Sequence, residues 1–147
     1  MTDTRMPFVR LLVLLLCVLG LNLVARAEGR ASELIAQGTQ WLEQGQLERA
    51  RQAFEAAAQA DPRSVPAHMK LAGVNLAQNR SDAAIAHYQR VIGLDPNQAK
   101  AFIGLGIAYL HKGDKSLTRA AFAEAIRLEP EREAQLAPII TELNAPD

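Results

Sequence analysis

Three histidines, close pairs of carboxylates such as Glu131 and Glu133, and a glycine tripeptide are the residues of this chain with chemistry to offer. His68, His87 and His111 would make a zinc-type site if their rings converged on one point. In the register set out below they fall at positions 4, 23 and 13, which are expected to point to different faces, so no metal site is expected. Glu131 and Glu133 are the residue type that serves as paired general acid and base. Two residues apart on a helix, however, side chains do not face each other. Gly104-Leu105-Gly106 carries two glycines of a phosphate-cradling loop but lacks the strand that must precede one. Cys17 is single, and neither His-x-Glu nor Gly-x-Ser-x-Gly occurs. The expectation is a chain with no catalytic residues, no metal and no cofactor. With 16 basic residues against 16 acidic ones, nothing in the charge calls for a nucleic-acid partner.

What remains is the ordering of the elements, and that ordering is periodic. "ADPRS", "GLDPN" and "LEPER" each close a helix-like run, because proline withholds a backbone donor and disfavours helix at the residue before it. Their prolines, Pro62, Pro96 and Pro130, are 34 residues apart. Counting Ala31 as position 1, units run 31–64, 65–98 and 99–132. Position 24 is Phe54, Tyr88 and Phe122, and position 27 is Ala57, Val91 and Ala125. Position 8 is Gly38, Ala72 and Gly106; position 20 is Ala50, Ala84 and Thr118. Small residues at 8 and 20 let two helices approach, and the aromatic fills the space between units. Position 15 is Gly45, Asn79 and Gly113, residue types that accept the left-handed backbone at a helix end. Each unit is thus predicted to be a helix A, a tight turn, a helix B and a proline stop.

A 34-residue helix-turn-helix with this small, aromatic and proline spacing resembles the tetratricopeptide repeat. The third unit matches best, through Phe102, Leu105, Gly106, Tyr109, Phe122, Ala125 and Pro130. Asn75 at position 11 and His68 at position 4 depart from the pattern and are expected to weaken the second unit's packing, and Thr118 at position 20 of the third unit departs as well. The fold expected is all-α: a right-handed solenoid of three units. A capping helix follows over 131–143, with Leu136, Ile139, Ile140 and Leu143 as its apolar stripe, and 144–147 as a tail. Pro138 is expected to kink or split that helix.

The resemblance also implies a use. In such proteins positions 2, 5, 6, 9, 12 and 13 of helix A face a concave groove. Here those positions offer Ile35, Thr39 and Leu42, then Met69, Lys70 and Leu76, then Lys100, Ile103, Ile107, Leu110 and His111, with Gly73 and Gly104 among the rest. The groove is mostly aliphatic, which suits an amphipathic helix or an extended peptide with apolar anchors, and the three basic residues favour a neighbouring acid. The carboxylate clamp of the family is largely missing: Lys100 matches it, whereas Ile35, Thr39, Lys70 and Gly104 do not. The function expected is a non-catalytic protein-interaction module, or alternatively a self-assembling subunit whose copies dock on one another.

The first residues are of another kind. Arg5 and Arg10 precede an apolar run, Leu11 to Val24, closed by Ala25-Arg26-Ala27. A basic start, an apolar stretch and an Ala-x-Ala site describe a secretory signal, with residues 1–27 removed and 28–30 left as a short leader. The run is shorter than the roughly 20 apolar residues of a spanning helix, so a membrane anchor at residues 11–24 is the alternative. Removal takes Arg5, Arg10, Arg26 and Asp3, leaving 13 basic and 15 acidic residues and no cysteine. The expectation is an exported protein of a bacterial envelope or periplasm, bound to a protein or peptide there, with homo-oligomers possible in principle.

Overall fold

The computed structural model describes residues 6–145; Arg5 and residues 146–147 of the expected tail lie outside them. Among the described residues the elements are helical: α1 (Met6–Glu43), α2 (Leu47–Ala60), α3 (Val65–Ala77), α4 (Ser81–Leu94), α5 (Ala99–His111), α6 (Lys115–Leu128), a 3-10 turn (Pro130–Arg132) and α7 (Glu133–Leu143). They pair as hairpins, α1 with α2, α3 with α4 and α5 with α6, and each hairpin stacks on the next. This is an all-α solenoid with a terminal helix, as the periodicity requires.

Local chemistry sets the boundaries. Gly45, Asn79 and Gly113 carry φ of 72°, 57° and 76°, the left-handed conformation that turns helix A into helix B. At the other end Asp61 and Asp95 leave the helical region, and each carboxylate oxygen accepts the backbone N–H two residues on, from Arg63 (3.0 Å) and Asn97 (3.1 Å). An aspartate therefore precedes each of these prolines because its side chain closes the turn around a residue that has no N–H to give. Ser64 caps α3 by accepting from Ala67 N–H at 3.3 Å, and Asp114 caps α6 by accepting from Leu117 N–H at 2.9 Å.

Close approach explains the small residues. A Cβ on Gly38 would sit 2.6 Å from the Phe54 ring, and one on Gly106 would sit 2.4 Å from the Phe122 ring. Each ring lies on the backbone of its own unit's helix A and also meets the following element, Phe54 with Leu71 and Val74, Phe122 with Leu136 and Leu143. Tyr88 behaves otherwise. Alanine rather than glycine fills position 8 of its unit, and its ring lies on Gly104 of the next unit, 2.2 Å from where a Cβ would be. The departures from the repeat pattern are accommodated: buried Asn75 donates from Nδ2 to the Leu71 carbonyl (2.9 Å), and buried Thr118 donates from Oγ1 to the Asp114 carbonyl (2.8 Å).

Polar links join successive units along their edges. Glu48, at position 18, accepts from Gln78 Nε2 of the next unit at 3.2 Å and lies 3.9 Å from Arg80. Its carboxyl group is pulled down to about 2, chiefly by the Arg51 hydrogen bonds and then by Gln78. Asp82, one period later, is bound by Lys112 of the third unit.

One expectation needs correction. Pro138 does not split the terminal helix, because α7 runs unbroken from Glu133 to Leu143 with Leu136 and Leu143 buried. A proline in the second turn forfeits one hydrogen bond, and the apolar stripe on either side stays packed on α6. At the other end the apolar run 11–24 and helix A of the first unit are one element: α1 passes through Ala25-Arg26-Ala27 without interruption. Its large side chains from Leu11 to Val24 are exposed, and it is the described helix long and apolar enough to cross a membrane.

Candidate functional site

Helices α1, α3 and α5 stand side by side and line one wall of the solenoid. On α1, Ile35 and Leu42 are half-buried and rest on the cluster of Ala50, Phe54, Leu71 and Val74. Thr39 is half-buried as well, and its hydroxyl donates back to the Ile35 carbonyl (2.9 Å), which leaves it only as an acceptor toward a ligand. On α3, Met69 and Leu76 pack against the central cluster around Tyr88 and Val91, while Lys70 is exposed. On α5, Ile103, Ile107 and Leu110 are half-buried against Phe122, Leu136 and Leu143, and Lys100 and His111 are exposed.

The seven aliphatics thus have two duties, since each presents part of its surface and anchors the rest in the core. Gly104 does not belong to the wall. It is buried beneath Tyr88, whose ring occupies the space a groove residue would need. Position 6 of the second unit, Lys70, is exposed, and there the preceding aromatic, Phe54, lies on Gly38 of its own unit.

One hollow is formed between α1 and α3. Leu42, Met69, Lys70, Gly73, Val74 and Ala77 line about 170 Å³ that opens to the surface. Gly73 opens it, for no atom lies within 4 Å of where its Cβ would be. Val74 was not among the expected wall residues; it is reached because its neighbour has no side chain to cover it. Lys70 is the charged group at the rim. A second hollow of about 410 Å³, lined by Leu110, Gly113, Lys115, Ile139, Glu142 and Leu143, lies where the end of α5 meets α7.

The histidines are placed differently from expectation. His68 and His87 do not point to different faces: their Nδ1 atoms are 3.2 Å apart, across the α3–α4 hairpin. Positions 4 and 23 lie on facing sides of the two antiparallel helices, which spacing along one helix does not reveal. His111 is exposed at the end of α5. Among the described residues no group of three or more His, Cys, Asp or Glu is placed to hold a metal.

The family model described as tetratricopeptide repeat matches residues 35–99 and again 76–133, which together exceed half of the chain. The chain belongs to the tetratricopeptide repeat family. Among curated proteins, this repeat protein is 29% identical over 93 residues to the general transcriptional corepressor ssn6 of Schizosaccharomyces pombe, covering 58% of the chain and 8% of that protein. It is 36% identical over 77 residues to the peroxisomal targeting signal receptor of Komagataella phaffii, covering 52% of the chain and 13% of the receptor. The chain therefore spans only a small part of the curated relatives it matches. Among solved structures it resembles the first tetratricopeptide domain of Spaghetti (RPAP3) bound to the HSP90 peptide SRMEEVD. The TM-score is 0.74 at 19% identity, covering 80% of this chain and 96% of that one, a likeness of fold.

Proposed function

We propose that this tetratricopeptide repeat protein is a non-catalytic interaction module that holds a peptide or helix of another protein against the α1–α3–α5 wall. The observation that carries the reading is the hollow of about 170 Å³ between α1 and α3, five of whose six lining residues are uncharged and nonpolar, with Lys70 at its rim. A shallow hollow of that size takes one branched aliphatic or methionine side chain, and the lysine suits an acidic residue beside it. Ile35, Thr39 and Leu42 continue the surface at one end; Leu76, Lys100, Ile103, Ile107, Leu110 and His111 continue it at the other.

The related RPAP3 domain binds a peptide ending in Glu-Glu-Val-Asp, which supports a peptide ligand for this fold. The residues here favour different ligand chemistry. Ile35, Thr39, Lys70 and buried Gly104 occupy four of the five positions that clamp a terminal carboxylate, so an internal segment with an apolar anchor fits better than a C-terminal one. The exposed apolar stretch of α1 supports export, by a removed signal or a retained anchor, and hence a partner in the cell envelope.

Gly73→Glu tests the reading directly. Gly73 lines the hollow and no atom lies within 4 Å of where its Cβ would be, so a side chain there starts in open space, and replacing a helical glycine should stabilise the fold by about 0.5–1 kcal/mol. Material retained from an envelope extract by the wild-type chain should be lost by Gly73→Glu and by Met69→Glu. Undiminished retention by a folded Gly73→Glu chain would place the binding surface elsewhere.

A further inference from the structure

The His68–His87 contact takes no part in the groove, and its hydrogen bonds fix where its protons are. His68 is buried at 8% exposure, and its Nε2 lies 3.2 Å from the Pro62 carbonyl oxygen. A carbonyl only accepts, so Nε2 of His68 carries the hydrogen and its Nδ1 has a lone pair. That lone pair faces Nδ1 of His87 at 3.2 Å, so Nδ1 of His87 is the donor. Ring centroids 5.4 Å apart fit this head-to-head arrangement. The chain of bonds runs from α4 through α3 into the loop that ends the first unit. Pro62 is also where Arg90 of α4 donates from its guanidinium at 3.1 Å. One carbonyl of the first unit is thereby held by two side chains of the second.

We propose that this histidine pair is an acid-opened latch: neutral, it ties the first repeat to the second, and protonation of both rings parts it. The inference rests on the pair alone and is independent of what the groove holds.

Two protons are not equivalent here. The first enters at Nε2 of His87, the nitrogen of that half-buried ring that the bond to His68 does not use, and leaves the Nδ1–H···Nδ1 bond in place. A second must go to Nδ1 of His68, setting two N–H groups and two positive charges head to head. Arg90, already at Pro62, adds a third cation on that side. Glu55 of α2 is the acid facing the pair; its attraction is shared with Arg51, which bonds it at 2.9 Å. The His87 imidazole is held below its ordinary value, first by burial and then by the neighbouring His68, with Glu55 opposing. A ring that resists protonation when folded binds fewer protons than in the unfolded chain. Stability is therefore full above the ordinary imidazole range, about 6.5, and falls as pH drops below it.

The test is urea unfolding of the whole chain at pH 7.5 and 5.0, with the wild type beside a doubly substituted chain, His68→Leu with His87→Phe. On acidification the unfolding constant should rise about threefold or more further in the wild type than in the substituted chain. Equal pH dependence in the two chains overturns the latch. Should the substituted chain fail to fold, long-range proton–nitrogen NMR of the wild-type imidazoles decides. Nε2–H on His68 at pH 7.5, with two coupled titration steps, supports the proposal. Nδ1–H on His68, or two independent steps, overturns it.

Discussion

At the residue scale, the same residue type does opposite things at two places on the A helices. Gly106 lies under the Phe122 ring with no room for a methyl group, whereas Gly73 opens on empty space. Gly106→Ala should therefore destabilise by about 1–3 kcal/mol through overpacking, despite alanine's better helix propensity. Gly73→Ala should stabilise by about 0.5–1 kcal/mol. Urea unfolding of the two single variants measures both, and equal effects would contradict the ring-on-backbone packing. The spacing marked Gly106 as a contact position, because position 8 recurs as a small residue. It did not mark Gly104, because Tyr88 reaches it only across the joint between units. Nor did it mark the histidine pair, whose members are 19 residues apart on different helices.

At the element scale, the hairpins are defined by what ends each helix: a left-handed residue after helix A and an acidic residue with proline after helix B. Both signals are local in the chain, so the helix boundaries are legible in the sequence. Energetic balance inside an element is not local in that way. Pro138 leaves the Ala134 carbonyl without its helical N–H partner, yet Leu136, Ile139, Ile140 and Leu143 hold α7 together from outside. Pro138→Ala should restore that bond without touching the buried stripe, since residue 138 is exposed. A gain of about 1–2 kcal/mol is expected, the helix benefit less the lost stiffening of the unfolded chain. Chemical denaturation checks the sign, and slower amide exchange across 134–142 checks the location.

At the scale of the whole molecule, α1 joins two environments in one rod. Its 38 residues extend about 57 Å at 1.5 Å per residue. One end is packed in the solenoid, through Ala31, Ile35, Trp41 and Leu42; the other presents an exposed row of leucines and valines. The full chain should partition into the detergent-rich phase on cloud-point separation, and a chain beginning at Glu28 should stay in the aqueous phase. Equal partitioning would mean that the apolar end is covered by the protein itself. The sequence by itself determined the period, the hairpins, the turn conformations, the terminal stripe and the family, because each is written in neighbours a few residues apart or in their recurrence. Only the tertiary structure decided that Tyr88 crosses to Gly104, that His68 meets His87, and that the aliphatics along α1, α3 and α5 are shared with the core. Those depend on how far apart helix axes settle, and that distance is set by all the side chains between them at once.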